Sequence, residues 1–206
     1  MTEVYLASRS PRRRELLAQI GVRFEPLPLR LAPPRGPDIS EQQQPGETPA
    51  AYVERVARDK AEFGRLILSQ RSMAYHPVLA ADTEVILDGE IIGKPSNVQQ
   101  ASEFLRRLSN RTHEVRTTVA IAFGRGPSAR LIADTSVSMV TFRVLTAEEI
   151  QRYTKSGEPY DKAGGYAIQG LAGVFIQRLE GSYSGVMGLP LYETAALLRE
   201  AGVKVL

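Results

Sequence analysis

Arg12, Arg13 and Arg14 follow Ser10-Pro11 in "LASRSPRRRELL", and their position runs against helix electrostatics. Ser10 as N-cap, Pro11 in the first turn, Leu16, Leu17 and Ile20 on one face and Gly21 as terminator predict a helix here. Free N–H groups and aligned peptide dipoles leave partial positive charge at such a start, so each cation there costs about 0.3–1 kcal/mol at low salt. The same features attract anions, and added guanidinium groups turn them into a phosphate clamp. A solvated basic face, or an arm for RNA or DNA, is the other reading of three arginines.

Asp82 follows "VLAA", so an apolar strand delivers a carboxylate to its own end, where open α/β sheets place their active groups. Such a carboxylate binds a metal, orients water, or caps a turn. Glu41, last residue of "DISE" in a loop rich in proline, glycine and glutamine over 30–49, has the same alternatives. Lys60 and Lys94 are phosphate ligands or snorkelling surface lysines. Gln169 lies in "GEPYDKAGGYAIQGLAG", whose five glycines in seventeen positions imply a backbone folded tightly around something, either a ligand or the loop itself. Together these make the set that a metal-dependent enzyme acting on a nucleoside triphosphate requires.

Cysteine is absent, which removes disulfides, thiolate nucleophiles and zinc–sulfur sites, and His76 and His113 lie far apart in the sequence. Any metal is therefore held by oxygen, which points to Mg2+ or Mn2+ bound by carboxylates and shared with phosphate. The 206 residues, 43% hydrophobic and 24% charged, have the make-up of an ordinary globular protein. A formal net charge of +3 suits an anionic ligand without separating nucleotides from nucleic acids. No apolar run approaches the roughly 18 residues of a membrane span, and Met1 is followed by Thr-Glu-Val-Tyr rather than a basic patch and an apolar stretch, so the expected compartment is the cytoplasm.

The elements that must position these groups are also predicted. Val4–Ala7 is a strand feeding the Ser10 helix, and Val22–Leu29 is a second extended piece. Thr48–Leu68 carries Val53, Val56, Ala57 and Ala61 at helical spacing, with Lys60 on the same segment. "PVLAADTEVILDGEIIGKP" reads as a hairpin turning at Asp88-Gly89. Asn97 caps an amphipathic helix through Leu108, and Glu114–Phe123 and Leu131–Val144 form an antiparallel pair. Thr146 and Glu149 make a capping box, Val174–Leu179 is a strand, and Pro190–Ala201 is a last helix. No internal repeat or linker is visible, so residues 1–206 read as a single α/β domain.

"LASRSPRRRELL", "AADTEVILDGEIIGKP" and "DKAGGYAIQGLAGVFIQRLEGSYSGVMGLPL" resemble the three signature blocks of the Maf family of nucleotide pyrophosphatases, and the resemblance runs over nearly the whole chain. It implies a Maf-like (ITPase-like) α/β fold, a twisted mixed sheet flanked by helices with a central cleft. It also implies hydrolysis of a nucleoside triphosphate to the monophosphate and pyrophosphate, in house-cleaning of nucleotide pools. On the same resemblance Asp82 matches the catalytic acidic residue of the "ADT" block, and Arg12, Thr83 and Gln169 match positions associated with substrate choice. Ser8, Arg13, Lys60, Lys94 and Asp161 match polar positions around phosphates and metal. Glu41 aligns with the last residue of the family's Asp-x-Asp-Glu, written here "DISE", with Ser40 in place of an acid and "RLAPPRGP" read as an insertion before it.

"DKAGGYAIQG" resembles the branch acting on dTTP and UTP rather than the sister branch acting on 7-methyl-GTP. A uracil or thymine edge presents an N–H between two carbonyls, and a Gln carboxamide matches part of it. In the mechanism so implied, Asp82 and Glu41 hold a divalent ion and one of them orients or deprotonates water. Arg12, Arg13, Lys60 and Lys94 neutralise the triphosphate. A homodimer is common among proteins of this kind. The rival, a nucleic-acid-binding or septum-regulating protein, lacks a long basic stripe and RNA-binding aromatic signatures in this chain, and has no use for Glu41 and Asp82 beside the same anion.

Overall fold

A computed structural model describes residues 3–29 and 39–206; the "RLAPPRGP" insertion lies outside the described residues. The opening strand β1 (Val4–Leu6) leads into helix α1 (Pro11–Gln19) and strand β2 (Phe24–Pro26). Helix α2 (Pro49–Gln70) then precedes the long strand β3 (Val78–Leu87) and its short hairpin partner β4 (Glu90–Ile92). Helix α3 (Val98–Leu108), strands β5 (Thr112–Phe123) and β6 (Arg130–Phe142), helix α4 (Ala147–Lys155), strand β7 (Ile176–Glu180) and helices α5 (Tyr183–Met187) and α6 (Leu191–Glu200) follow. The seven strands make one mixed sheet in the order β2-β1-β3-β5-β6-β7, with β4 on β3. β1 runs parallel to both β2 and β3, whereas β3–β4 and β6–β7 are antiparallel. The mixed sheet with flanking helices expected from the sequence is borne out.

By its contacts the chain divides into two units. The first comprises residues 1–82, 117–135 and 188–206. Parallel neighbours need crossover connections, and α1 and α2 supply them between β1, β2 and β3. The helix expected over Thr48–Leu68 is present; Thr48 caps α2 through its hydroxyl, and Pro49 stands at the first helical position, where no N–H is needed. Val53, Val56, Ala57, Ala61, Ile67 and Leu68 form its buried face. The core of this unit includes Ala57, Ala61, Leu68, Tyr5, Leu27, Val78, Ala80 and Ala120.

The second unit comprises residues 83–116 and 136–187. Asp88 and Gly89 both have positive φ, 54° and 79°, in the two-residue turn joining β3 to β4, the geometry whose twist matches paired strands. Asn97 caps α3 and Thr146 with Glu149 closes the capping box of α4, both as predicted. Phe142 lies edge-on to His113, Tyr166 and Phe175, at centroid separations of 5.1, 4.9 and 6.1 Å.

Gly164 has φ +69°, and a Cβ there would stand 2.7 Å from Val85 Cγ2 and 3.0 Å from Val85 Cβ. Backbone strain and overpacking then add, so Gly164→Ala is expected to destabilise by about 2–4 kcal/mol. In a thermal melt that amounts to a fall in Tm of roughly 5–15 °C; a melt within 2 °C or so of the parent would show that this contact relaxes freely.

Two expectations shift. The extended piece at Val22–Leu29 is a ladder only over Phe24–Pro26, because β1 itself pairs over three residues. The strand read as Val174–Leu179 begins at Ile176, since Leu171–Phe175 coils into tight helical turns before it. α5, five residues long, carries too short a pattern to be seen in the sequence.

Candidate functional site

The start of α1 is the first cluster. Ser10 caps it by accepting from Arg13 N at 3.4 Å, and no acidic residue occupies the first turn. The buried Ser8 accepts from Ser10 N at 3.1 Å and from Arg13 Nη1 at 3.4 Å, and Arg13 Nε donates to the Gly188 carbonyl at 2.8 Å. Arg14 donates to the Arg9 carbonyl at 3.0 Å, and Arg9 to the Leu29 carbonyl at 3.1 Å. Carbonyl oxygens thus offset part of the like-charge penalty. Two of the three arginines are oriented by the protein's own backbone, and Arg12 is half-buried beside them.

Carboxylates and an ammonium form the second cluster. Lys60, on α2, places Nζ 2.8 Å from Asp82 Oδ1 and 2.9 Å from Glu41 Oε1. Asp82 is 7% exposed, and its Oδ2 is buried with no hydrogen-bond partner among the described residues. Leaving a carboxylate oxygen so costs free energy unless another group occupies it.

Strand register relates the two clusters. β1 pairs with β3 in parallel, Leu6 opposite Leu79. Continuing that register brings Ser8 level with Ala81, one residue before Asp82. Ser8 and the start of α1 therefore lie just past the carboxyl end of β1, level with the stretch of β3 that carries Asp82. Asp82 does not stand at a strand end, where the sequence suggested it: it is an interior residue of β3, which runs unbroken from Val78 to Leu87 because the apolar alternation resumes at Val85. The carboxyl end of β1 is the kind of position where α/β sheets form ligand crevices.

The donor set fits a hard divalent cation. Its candidate atoms are carboxylate oxygens, one buried and unmatched, and magnesium characteristically takes one or two carboxylates and completes its shell with water and phosphate. Among the described residues no three His, Cys, Asp or Glu are grouped to hold an ion by themselves. His113 is buried in the second unit, its Nε2 2.8 Å from the Tyr166 hydroxyl, and desolvation lowers its pKa to about 4, so it is neutral and structural at pH 7.

The remaining candidates belong to the second unit. Thr83, next to Asp82 on β3, is half-buried; Lys94 and Gln169 are exposed; Asp161, also exposed, pairs with Lys162. The glycine-rich segment carrying Gln169 is anchored by Gly164 N donating to the Gly93 carbonyl at 3.0 Å, which joins it to the chain just before Lys94.

A family profile described as "Maf-like protein" matches residues 3–201. The chain belongs to the Maf family. The resemblance read from three sequence blocks is thereby borne out. This Maf chain is 55% identical over 202 residues to the dTTP/UTP pyrophosphatase of Nitrosospira multiformis, covering 98% of the chain and 96% of that protein. It is 54% identical over 202 residues to the dTTP/UTP pyrophosphatase of Bordetella parapertussis, covering 98% and 94%. With the protein of the same name from Chromobacterium violaceum it shares 48% over 204 residues, covering 99% and 97%.

Two residues of this Maf chain that hold Glu41 in place, Tyr52 and Arg55, escape a motif reading. Tyr52 donates its hydroxyl to the Glu41 carbonyl at 2.9 Å. Arg55 grips Glu47 with two bonds of 2.6 and 2.9 Å and also donates to the carbonyls of Ser40 and Gln42. Side chains on the first two turns of α2 thus fold residues 40–47 back so that Glu41 reaches Lys60. The one available signal was spacing: Tyr52, Val56 and Lys60 recur every four residues along one side of the helix.

Proposed function

We propose that this chain, working as one Maf-like domain over residues 1–206, hydrolyses nucleoside triphosphates, dTTP and UTP foremost, to the monophosphate and pyrophosphate. One observation carries the reading: the parallel register of β1 and β3 sets an arginine-rich helix start, just past the end of β1, level with the part of β3 that carries a buried carboxylate with one unmatched oxygen. The names of the relatives support the choice of substrate.

The triphosphate docks at the start of α1 on Arg12 and Arg13, with Ser8 and the Gly188 carbonyl holding the Arg13 fork. Asp82 Oδ2 takes a proton from water as it attacks the α-phosphorus; the bond to the β-phosphate oxygen breaks and pyrophosphate leaves. Lys60 pairs with both Asp82 and Glu41, and Lys94 adds positive charge for the phosphates. Asp82 and Glu41 would hold Mg2+ or Mn2+, which when bound supplies charge neutralisation for the phosphate oxygens. Thr83 and Gln169, with Arg12, select the base. The chain acts on free nucleotides in the cytoplasm, as a homodimer and without nucleic acid.

A panel of dTTP, UTP, CTP, ATP, GTP and 7-methyl-GTP, assayed for pyrophosphate with Mg2+, with Mn2+ and with EDTA, tests this. The expected result is pyrophosphate chiefly from dTTP and UTP, lost with EDTA. Preference for 7-methyl-GTP would move the chain to the sister branch, and salt-sensitive DNA binding without hydrolysis would overturn the enzyme reading.

A further inference from the structure

Gln169 lies in a segment with short helical turns but no ladder of its own, so something else must hold its backbone. Glu158 does so from both sides. Its Oε2 accepts from Leu171 N at 2.9 Å, and its Oε1 accepts from Ala172 N at 3.3 Å and from the Tyr153 hydroxyl at 2.8 Å. Both oxygens are thereby committed to groups that include the backbone just after Gln169. Gly170 makes this approach feasible, because any Cβ there would overlap the Glu158 carboxylate. On the other flank, Lys162 Nζ donates to the Glu158 carbonyl at 2.5 Å, so the same residue also ties down the start of the segment. Tyr153, whose ring meets Phe175 edge-on at 5.1 Å, roots the arrangement in the buried core.

We infer that Glu158 is a positioning residue for nucleotide discrimination, fixing the chain on both sides of Gln169 so that the carboxamide meets the base in one orientation. The inference rests on the proposed base-reading role of Gln169. The chemistry is specific to a carboxylate: three donors converge on two oxygens. Glu158→Gln keeps the shape but presents N–H groups to at least one N–H or O–H donor, whichever way the amide turns.

The test is kcat and KM for UTP and CTP in the parent, Gln169→Ala, Glu158→Gln, Tyr153→Phe and the Glu158→Gln, Gln169→Ala double variant, with thermal melts as the folding check. Gln169→Ala is expected to lower the UTP-to-CTP ratio of kcat/KM about tenfold, the size of one lost hydrogen bond. Glu158→Gln should lower that ratio about three- to tenfold through KM for UTP, and should add nothing in the Gln169→Ala background. Tyr153→Phe keeps the ring on Phe175 and removes one donor, so it decides the matter if Glu158→Gln fails to fold; its ratio should fall about twofold. An unchanged ratio in the folded variants, even with both nucleotides slowed alike, overturns the role of Glu158 while leaving that of Gln169. A ratio unmoved by Gln169→Ala removes the base-reading role and this inference with it.

Discussion

Replacing Asp82 by Asn lowers the turnover of UTP by about 10²–10⁴-fold while the protein stays folded. The asymmetry comes from the two oxygens of this carboxylate. Oδ1 accepts from Lys60, a bond that the Asn carbonyl reproduces. Oδ2, buried and unmatched, is the atom proposed to take the proton, and an amide nitrogen in its place has no basic lone pair. Folding loses little, since Lys60 keeps its contact with Glu41 and the new N–H is an unpaired buried group worth about 1–3 kcal/mol. The measurements are kcat by pyrophosphate release and Tm by circular dichroism. Turnover within threefold or so of the parent takes Asp82 out of the proton transfer.

Lys60→Met is the second large effect. Its ammonium is within hydrogen-bonding distance of both Asp82 and Glu41 and has a side chain 13% exposed. Removing it leaves two negative groups facing each other, one of them buried, with no compensating charge from Lys60. A broken buried pair costs about 3–5 kcal/mol. Because Glu41 is more than a third exposed and water screens it, about 2–3 kcal/mol is expected here. That corresponds to a Tm roughly 5–10 °C lower without divalent cation. A divalent cation should restore more stability to Lys60→Met than to the parent, because it supplies the missing positive charge to the same oxygens. Turnover should fall about 10²-fold, the usual effect of losing one charge-stabilising donor. A variant as stable as the parent and equally insensitive to Mg2+ would show that the two carboxylates are not held together by this lysine.

Much of the site was legible because its chemistry lies in contiguous blocks. Ser10-Pro11 before three arginines announces a capped helix with an anion site, and "VLAAD" announces a strand delivering an acid. Both are local patterns, and the structure places a helix and a strand at those positions. The cap, the capping box of α4 and the turn at Asp88-Gly89 were readable for the same reason: each is fixed by the φ/ψ preferences and hydrogen bonds of residues a few positions apart.

Pairing between distant residues was not legible. Nothing in "ETPAAYVERVARDK" states that Arg55 reaches Glu47 and the carbonyls of Ser40 and Gln42, or that Lys60 bonds Asp82 across 22 positions of sequence. No local pattern around Glu158 announces the three donors that meet on its carboxylate, two of them thirteen and fourteen positions away.

The sequence by itself determined the local elements, the absence of any thiolate ligand and, through its three signature blocks, the family. Only the tertiary structure decided which cation serves which carboxylate, which carboxylate oxygen is left unmatched, and that the arginine helix starts level with the part of β3 that carries Asp82. The reason is physical: short-range order follows from steric and capping preferences within a few residues. Contacts between remote charges depend on strand register and helix placement, and those are set by burial of the whole apolar core rather than by any single motif.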